Sequence, residues 1–177
     1  PVREGLLLLE REGLVVTQTN RGSFVRSFTV DDIEEIFSMR ISMENFAAQQ
    51  NIDRLSDDDF KQMYEFLASQ EAAIQADNFE QVRSIDMNFH RFIINRSGHR
   101  LLARHWEEIV AQIAALLFFR AEVFPDYDEM LAIRDHKRII EAYHQRDLDS
   151  LYAANQQINN RVCTECVNAV KAKSKSS

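Results

Sequence analysis

Only four glycines and two prolines punctuate 177 residues. Both residue types end or bend helices, glycine through backbone entropy and proline through its missing N–H. A chain this poor in them is free to run in long helices. Apolar residues recur at three- and four-residue spacing rather than in alternation. Thr29 precedes Asp31 and Asp32 as a helix start: its hydroxyl suits the cap, and acids favour the positive end of the helix dipole. Ile33, Ile36, Phe37, Met43 and Ala47 follow on one face. Ser56 with Asp57, Asp58 and Asp59 is a second start, leading into Phe60, Met63, Phe66 and Leu67. Further helices are predicted over about 78–96, 100–122, 128–145 and 148–170, with Gly98 ending one and Pro125 separating two others. Six helices with short connections predict an all-α fold, an antiparallel bundle. At 45% hydrophobic residues the chain can bury one sizeable core.

Residues 1–26 have a different character. Pro1 suits the first turn of a helix. Leu6 and Leu9 give that helix an expected buried side, and Gly13 an expected stop. Val15-Val16-Thr17 and Ser23-Phe24-Val25 predict two short strands around an Asn20-Arg21-Gly22 turn. This stretch carries Arg3, Arg11, Arg21 and Arg26 against Glu4, Glu10 and Glu12, a net charge of +1 in a chain whose total is −7. Contact with nucleic acid would therefore fall to residues 1–26 and not to the acidic body over 30–170. Residues 171–177, rich in Lys and Ser, are expected to form a disordered tail.

No apolar run is long enough to cross a bilayer, the longest being of the kind seen at Ile113–Phe119, and no signal peptide is visible. Cys163 and Cys166 are the only cysteines, so there is no disulfide framework and a cytoplasmic location is expected. Their C-x-x-C spacing on a predicted helix fits ordinary packing better than a redox or zinc pair, since no second pair accompanies it.

Polar residues that share a face with apolar ones need a reason, because an unpartnered buried polar group costs about 1–3 kcal/mol. Arg40 follows Ile33, Ile36 and Phe37 on the inward face. It either pairs with a core carboxylate or offers a guanidinium fork to a ligand carboxylate. Asp86 and His90 lie four residues apart on one helix face, a spacing that serves an ion pair or one metal ion. His136 sits among Ile133, Ile139 and Ile140, either as a core histidine or as a third member of that site.

These residues resemble the GntR family of bacterial transcription regulators, in the FadR-like branch with a helical effector-binding FCD domain. The P-V-R-E-G-L and L-E-R-E-G-L-V stretches resemble the recognition helix of a winged helix-turn-helix, and Arg21-Gly22-Ser23-Phe24-Val25 its wing. Arg40-Ile41-Ser42-Met43-Glu44 resembles the family's R-x-x-L-E, Asp86 to His90 its D-x-x-F-H, and Asp135 to Ala142 its E-H-x-x-I-L-x-A. The match runs from residue 1 to about 165 and lacks the first part of the DNA-binding domain. The resemblance implies a homodimer on operator DNA, with Arg3, Arg21 and Gly22 as contacts, and a small carboxylate effector bound by Arg40, His90 and His136. It also implies a divalent metal, zinc, nickel or manganese, held by one Asp and three His. Asp86, His90 and His136 match three of these positions. The fourth falls on Ile158, which cannot ligate, so the site holds a metal with three protein ligands and water or binds the acid without metal. Two other readings are a metal-dependent helical enzyme using Asp86, His90 and His136, and a plain helical dimerisation module. Ile109, Leu116, Phe118 and Phe119 are candidates for a subunit interface.

Overall fold

Helix starts with strong caps set the frame of the computed structural model, which describes residues 2–175, the side chain of Lys175 excepted. Pro1, Ser176 and Ser177, including the expectation of a helical Pro1, lie outside the described residues. A short helix and a hairpin come first: α1 (Val2–Arg11), β1 (Val15–Gln18) and β2 (Gly22–Val25). The strands pair antiparallel, with Val15 opposite Val25 and Gln18 opposite Gly22. Six longer helices follow: α2 (Val30–Asn51), α3 (Asp57–Gln75), α4 (Phe79–Arg96), α5 (Arg100–Val123), α6 (Met130–His144) and α7 (Leu148–Lys175).

The starts of α2 and α3 are reciprocal capping boxes. Thr29 Oγ1 accepts from the Asp32 backbone N–H while Asp32 accepts from that of Thr29, and Ser56 and Asp59 repeat the pattern. α2 packs on α4, α5 and α7, α3 on α4 and α6, and α7 on α5 and α6. The core closes around Phe37, Phe89, Trp106 and Tyr143, each at most 1% exposed. Burying a side chain of this size contributes about 1.5–3 kcal/mol.

Three expectations change. α1 has no buried residue: Leu6 and Leu9 are 37% and 38% exposed, because β1 covers that helix only in part. Residues 171–175 continue α7 instead of forming a disordered tail. Lys and Ala propagate a helix well, and lysines suit its negative C-terminal end. Leu116, expected at a subunit interface, is 1% exposed in the core, whereas Phe118 is half exposed on the outer side of α5.

The hairpin meets the bundle at Gln112 of α5. Gly13 has φ +73°, and a Cβ there would meet the Gln112 side chain of α5 at 2.9 Å. Gln112 Oε1 also accepts from Arg26 Nη1 at 3.2 Å, and Arg26 pairs with Asp32. Both ends of the hairpin therefore close on one α5 side chain.

Candidate metal and ligand site

Helical spacing on α4 puts Asp86 and His90 on one face, and α6 brings His136 against them. The three residues offer ligand atoms that all lie within 4.8 Å of one another, a group that could hold a metal ion. His136 Nε2 is 3.2 Å from His90 Nε2 and 3.2 Å from Asp86 Oδ1. His90 and His136 are buried, and Asp86 is the most exposed of the three.

A surrounding layer orients each group. Gln70 of α3 donates from Nε2 to Asp86 Oδ1 at 3.4 Å, which turns its amide oxygen toward His136 Nδ1 at 3.1 Å. An amide oxygen only accepts, so His136 carries a proton on Nδ1 and directs Nε2 at the shared centre. On the other side, His90 Nδ1 lies 2.9 Å from Glu44 Oε1. A carboxylate there keeps the proton on Nδ1 and leaves His90 Nε2 facing His136. Such partners are the usual orienting layer of metal-binding histidines. The Phe89 ring stacks on His136 at 4.1 Å and fixes its plane.

The electrostatics run the same way. Burial pushes the Glu44 carboxyl up, but Arg40 and His90 outweigh it and bring the group down to about 2. Burial likewise opposes ionisation of Asp86, yet the hydrogen bond and charge of His136 hold it well below the usual carboxylate range. Burial, followed by the Arg40 charge, lowers His90 and so favours its neutral, ligating form. With a cation in place of the Nε2 proton of His136, the lone pairs of His90 Nε2, His136 Nε2 and Asp86 Oδ1 would all point at one centre. The donor set therefore fits a divalent cation.

Arg40 meets the core carboxylate it was weighed against: its Nε donates to Glu44 Oε1 at 2.9 Å. Glu44 Oε2 accepts from Asn159 Nδ2 at 2.9 Å. Glu44 and Gln70 are the functional neighbours missed in the sequence. The signal was present in both cases, Glu44 four residues after Arg40 and Gln70 three after Leu67. Ile158 is packed in the core and supplies no donor. The adjacent Asn159 has a buried Oδ1 without a hydrogen-bond partner. A metal-bound water or a ligand hydroxyl would satisfy it where a fourth side-chain ligand is lacking.

The remaining candidates lie apart from this cluster. Arg3, Arg21 and Gly22 are exposed on α1 and at the hairpin tip, with Asn20 and Gly22 both at positive φ in the turn. Cys163 and Cys166 are free thiols on α7, and burial pushes Cys166 up to about 12, far from a reactive thiolate. A cleft of about 1360 Å³ separates Arg11–Gly13 from Met87 and Asn88 of α4 and Ile109, Gln112 and Phe118 of α5. Arg40, Asp86, His90 and His136 do not border it.

Residues 35–160 match the family model of the FCD domain. The chain belongs to the GntR family of transcription regulators and carries an FCD domain. An HTH-type transcriptional regulator of Bacillus subtilis (strain 168), YdhC, is 26% identical over 162 residues, covering 89% of this chain and 69% of that protein. The gluconate operon transcriptional repressor of Bacillus licheniformis is 26% identical over 164 residues, covering 89% of this chain and 65% of its own length. The chain thus spans about two-thirds of these relatives. Two solved structures share the fold. E. coli McbR/YncC superposes with a TM-score of 0.78 at 18% identity, over 90% of this chain and 79% of that one. A GntR regulator from Rhodococcus sp. RHA1 gives 0.79 at 16% identity, over 95% and 79%. Membership in this FCD family supports a DNA-binding regulatory role and not an enzymatic one. No described helix is long and apolar enough to cross a membrane.

Proposed function

We propose that this GntR-family chain, placed in the FadR-like branch, is a ligand-responsive regulator whose FCD bundle binds a small carboxylate and thereby alters operator binding. Residues 1–26 are the C-terminal part of a winged helix-turn-helix, with Arg3, Arg21 and Gly22 at the DNA, and 30–170 are the effector-binding and dimerising domain. The observation that carries the reading is the convergence of two histidine Nε2 atoms and one carboxylate, each held from behind by Gln70 or Glu44. Asp86, His90 and His136 would hold a divalent ion. When bound, it supplies positive charge that attracts a ligand carboxylate. Arg40 adds a second positive group beside it.

A ligand changes operator binding only if it binds one arrangement of the head better than another. α5 offers the physical route. Trp106 of α5 lies 6.4 Å from His90, ring to ring, and Gln112, under two turns further along, holds both ends of the hairpin. A shift of α5 at the site would therefore be felt at the hairpin.

Calorimetric titration of zinc, nickel and manganese into the wild type and the His136→Ala variant tests the site. Binding by the wild type with a loss of at least about tenfold in the variant is expected. Equal affinity in both would sink it. Operator binding by the family's full-length form, compared with and without an added small acid, tests the response.

A further inference from the structure

Beside the metal cluster lies a second set of charged groups that neither the metal nor the DNA reading uses. Arg83 of α4 is three residues before Asp86, about 4.5 Å along the helix axis. Arg120 is in the last turn of α5. Glu129 stands at the start of α6, seven residues before His136, about 10 Å along that axis. Arg83 and Arg120 are the two arginines whose buried Nε–H groups have no hydrogen-bond partner among the described residues. Arg120 is 5% exposed and Glu129 9%. Arg83 Nη1 donates to the Phe79 carbonyl at 2.6 Å, while its Nη2 reaches Glu129 Oε1 only at 3.5 Å. Arg120 Nη1 donates to Glu165 Oε2 at 2.9 Å, and its guanidinium lies over the Tyr127 ring at 3.7 Å. Burial pushes the Glu129 carboxyl above its usual range against the pull of Arg120 and Arg83, so its charge is incompletely compensated.

Two buried guanidinium N–H groups left unsatisfied, with a carboxylate at the edge of hydrogen-bonding distance, describe an anion site filled by a poor substitute. We propose that Arg83 and Arg120 anchor the distal acid group of a short di-acid whose first acid group is held at Asp86, His90 and His136, and that Glu129 occupies this anchor until the ligand displaces it. The inference rests on the acid-sensing reading above and narrows its ligand to a di-acid. Asp86 lies close enough to act electrostatically on both Arg83 and Glu129, so the cluster and this anchor are neighbours. The offset of under one helical turn between Arg83 and Asp86 is of the order spanned by the two carboxylates of a short di-acid such as succinate.

Calorimetry with succinate and propionate on the zinc-loaded protein tests the anchor. Wild type binds succinate at least about tenfold more tightly than propionate, the effect of one added charge-assisted contact. Glu129→Gln tightens succinate several-fold and leaves propionate unchanged. Arg83→Gln brings succinate down to the level of propionate, with the fold checked by circular dichroism. The Glu129 variant changes affinity in the opposite direction from the Arg83 variant, so general damage cannot mimic the pattern. Measurable but equal binding of the two acids overturns the anchor alone, as does a Glu129→Gln variant with unchanged or weaker succinate binding. Absence of binding by both acids overturns the acid-sensing reading together with the anchor.

Discussion

At the centre of the bundle charged groups are buried and paired around Glu44, whereas in the head apolar groups are exposed. Glu44 collects Arg40, His90 and Asn159 around one carboxylate, while Leu7 and Leu8 of α1 are 57% and 49% exposed. The contrast separates two jobs. The bundle holds the apolar core, with paired charges buried inside it. The head is tied to α5 by the Arg26–Gln112 hydrogen bond beside Gly13, a joint of one partly buried hydrogen bond.

The sharpest way to break this comparison is at Glu44. Glu44→Ala leaves a buried guanidinium uncompensated and removes the partner of His90 Nδ1. Breaking a buried pair from one side costs about 3–5 kcal/mol. Urea unfolding followed by circular dichroism should show a loss of that size, and a loss below about 1 kcal/mol would mean that the charges at the bundle centre carry little of its stability.

Most of the bundle is legible in the sequence because its signals are local. The Thr29 and Ser56 starts, the Gly98 stop and the break at Pro125 each depend on a few neighbouring residues. Asp86, His90 and His136 are legible for a different reason: each is a polar residue on an apolar face, and a core leaves few reasons for that. The structure brings all three together. Helical spacing within α2 and α3 marks Glu44 and Gln70 as inward-facing, but their contacts with His90 and His136, and the contact of Arg120 with Glu165, are set by which helices face one another. The exposed leucines of α1 show the converse. Leu6 and Leu9 have the spacing of a buried face, yet periodicity says only that a face seeks a partner and not that one of the described elements supplies it.

The second prediction concerns the caps, where the bundle's polar groups are partly exposed. Ser56→Ala removes the acceptor for the Asp59 N–H and should cost about 1 kcal/mol. Burial works to raise the Asp59 carboxyl, but hydrogen bonds from Ser56 and the charge of Arg96 hold it below its ordinary value of 3.8. A carboxyl depressed in the folded state contributes stability that is fully present above that ordinary value and is lost as pH falls through the folded one. Thermal melts between about pH 5 and pH 2 should therefore fall less steeply for Asp59→Asn than for wild type. Parallel acid limbs would show that the cap contributes no linkage.

The third prediction bears on the joint. Gln112→Ala removes one partly buried hydrogen bond, a cost of about 0.5–1.5 kcal/mol if it were all felt globally. Because the bond ties the head and not the core, its loss should appear as faster amide hydrogen exchange in Val15–Val25, with α2 to α7 unchanged. Uniformly faster exchange over both regions would show that head and bundle open together.

The smallest effect is expected in α1, and it tests the comparison from the other side. Leu8→Gln replaces a half-exposed leucine in a helix with no buried residue. Both residues favour helix, so propensity changes little. About half of the apolar surface removed is already in water, and surface substitutions of this kind stay within about 0.5 kcal/mol. Urea unfolding of this chain should thus match wild type within that margin. A destabilisation above 1.5 kcal/mol, approaching the about 2–5 kcal/mol range of core truncations, would show that the leucine face packs against something in solution. The head would then be a second folded core, and its loose attachment could no longer explain how a ligand in the bundle moves it.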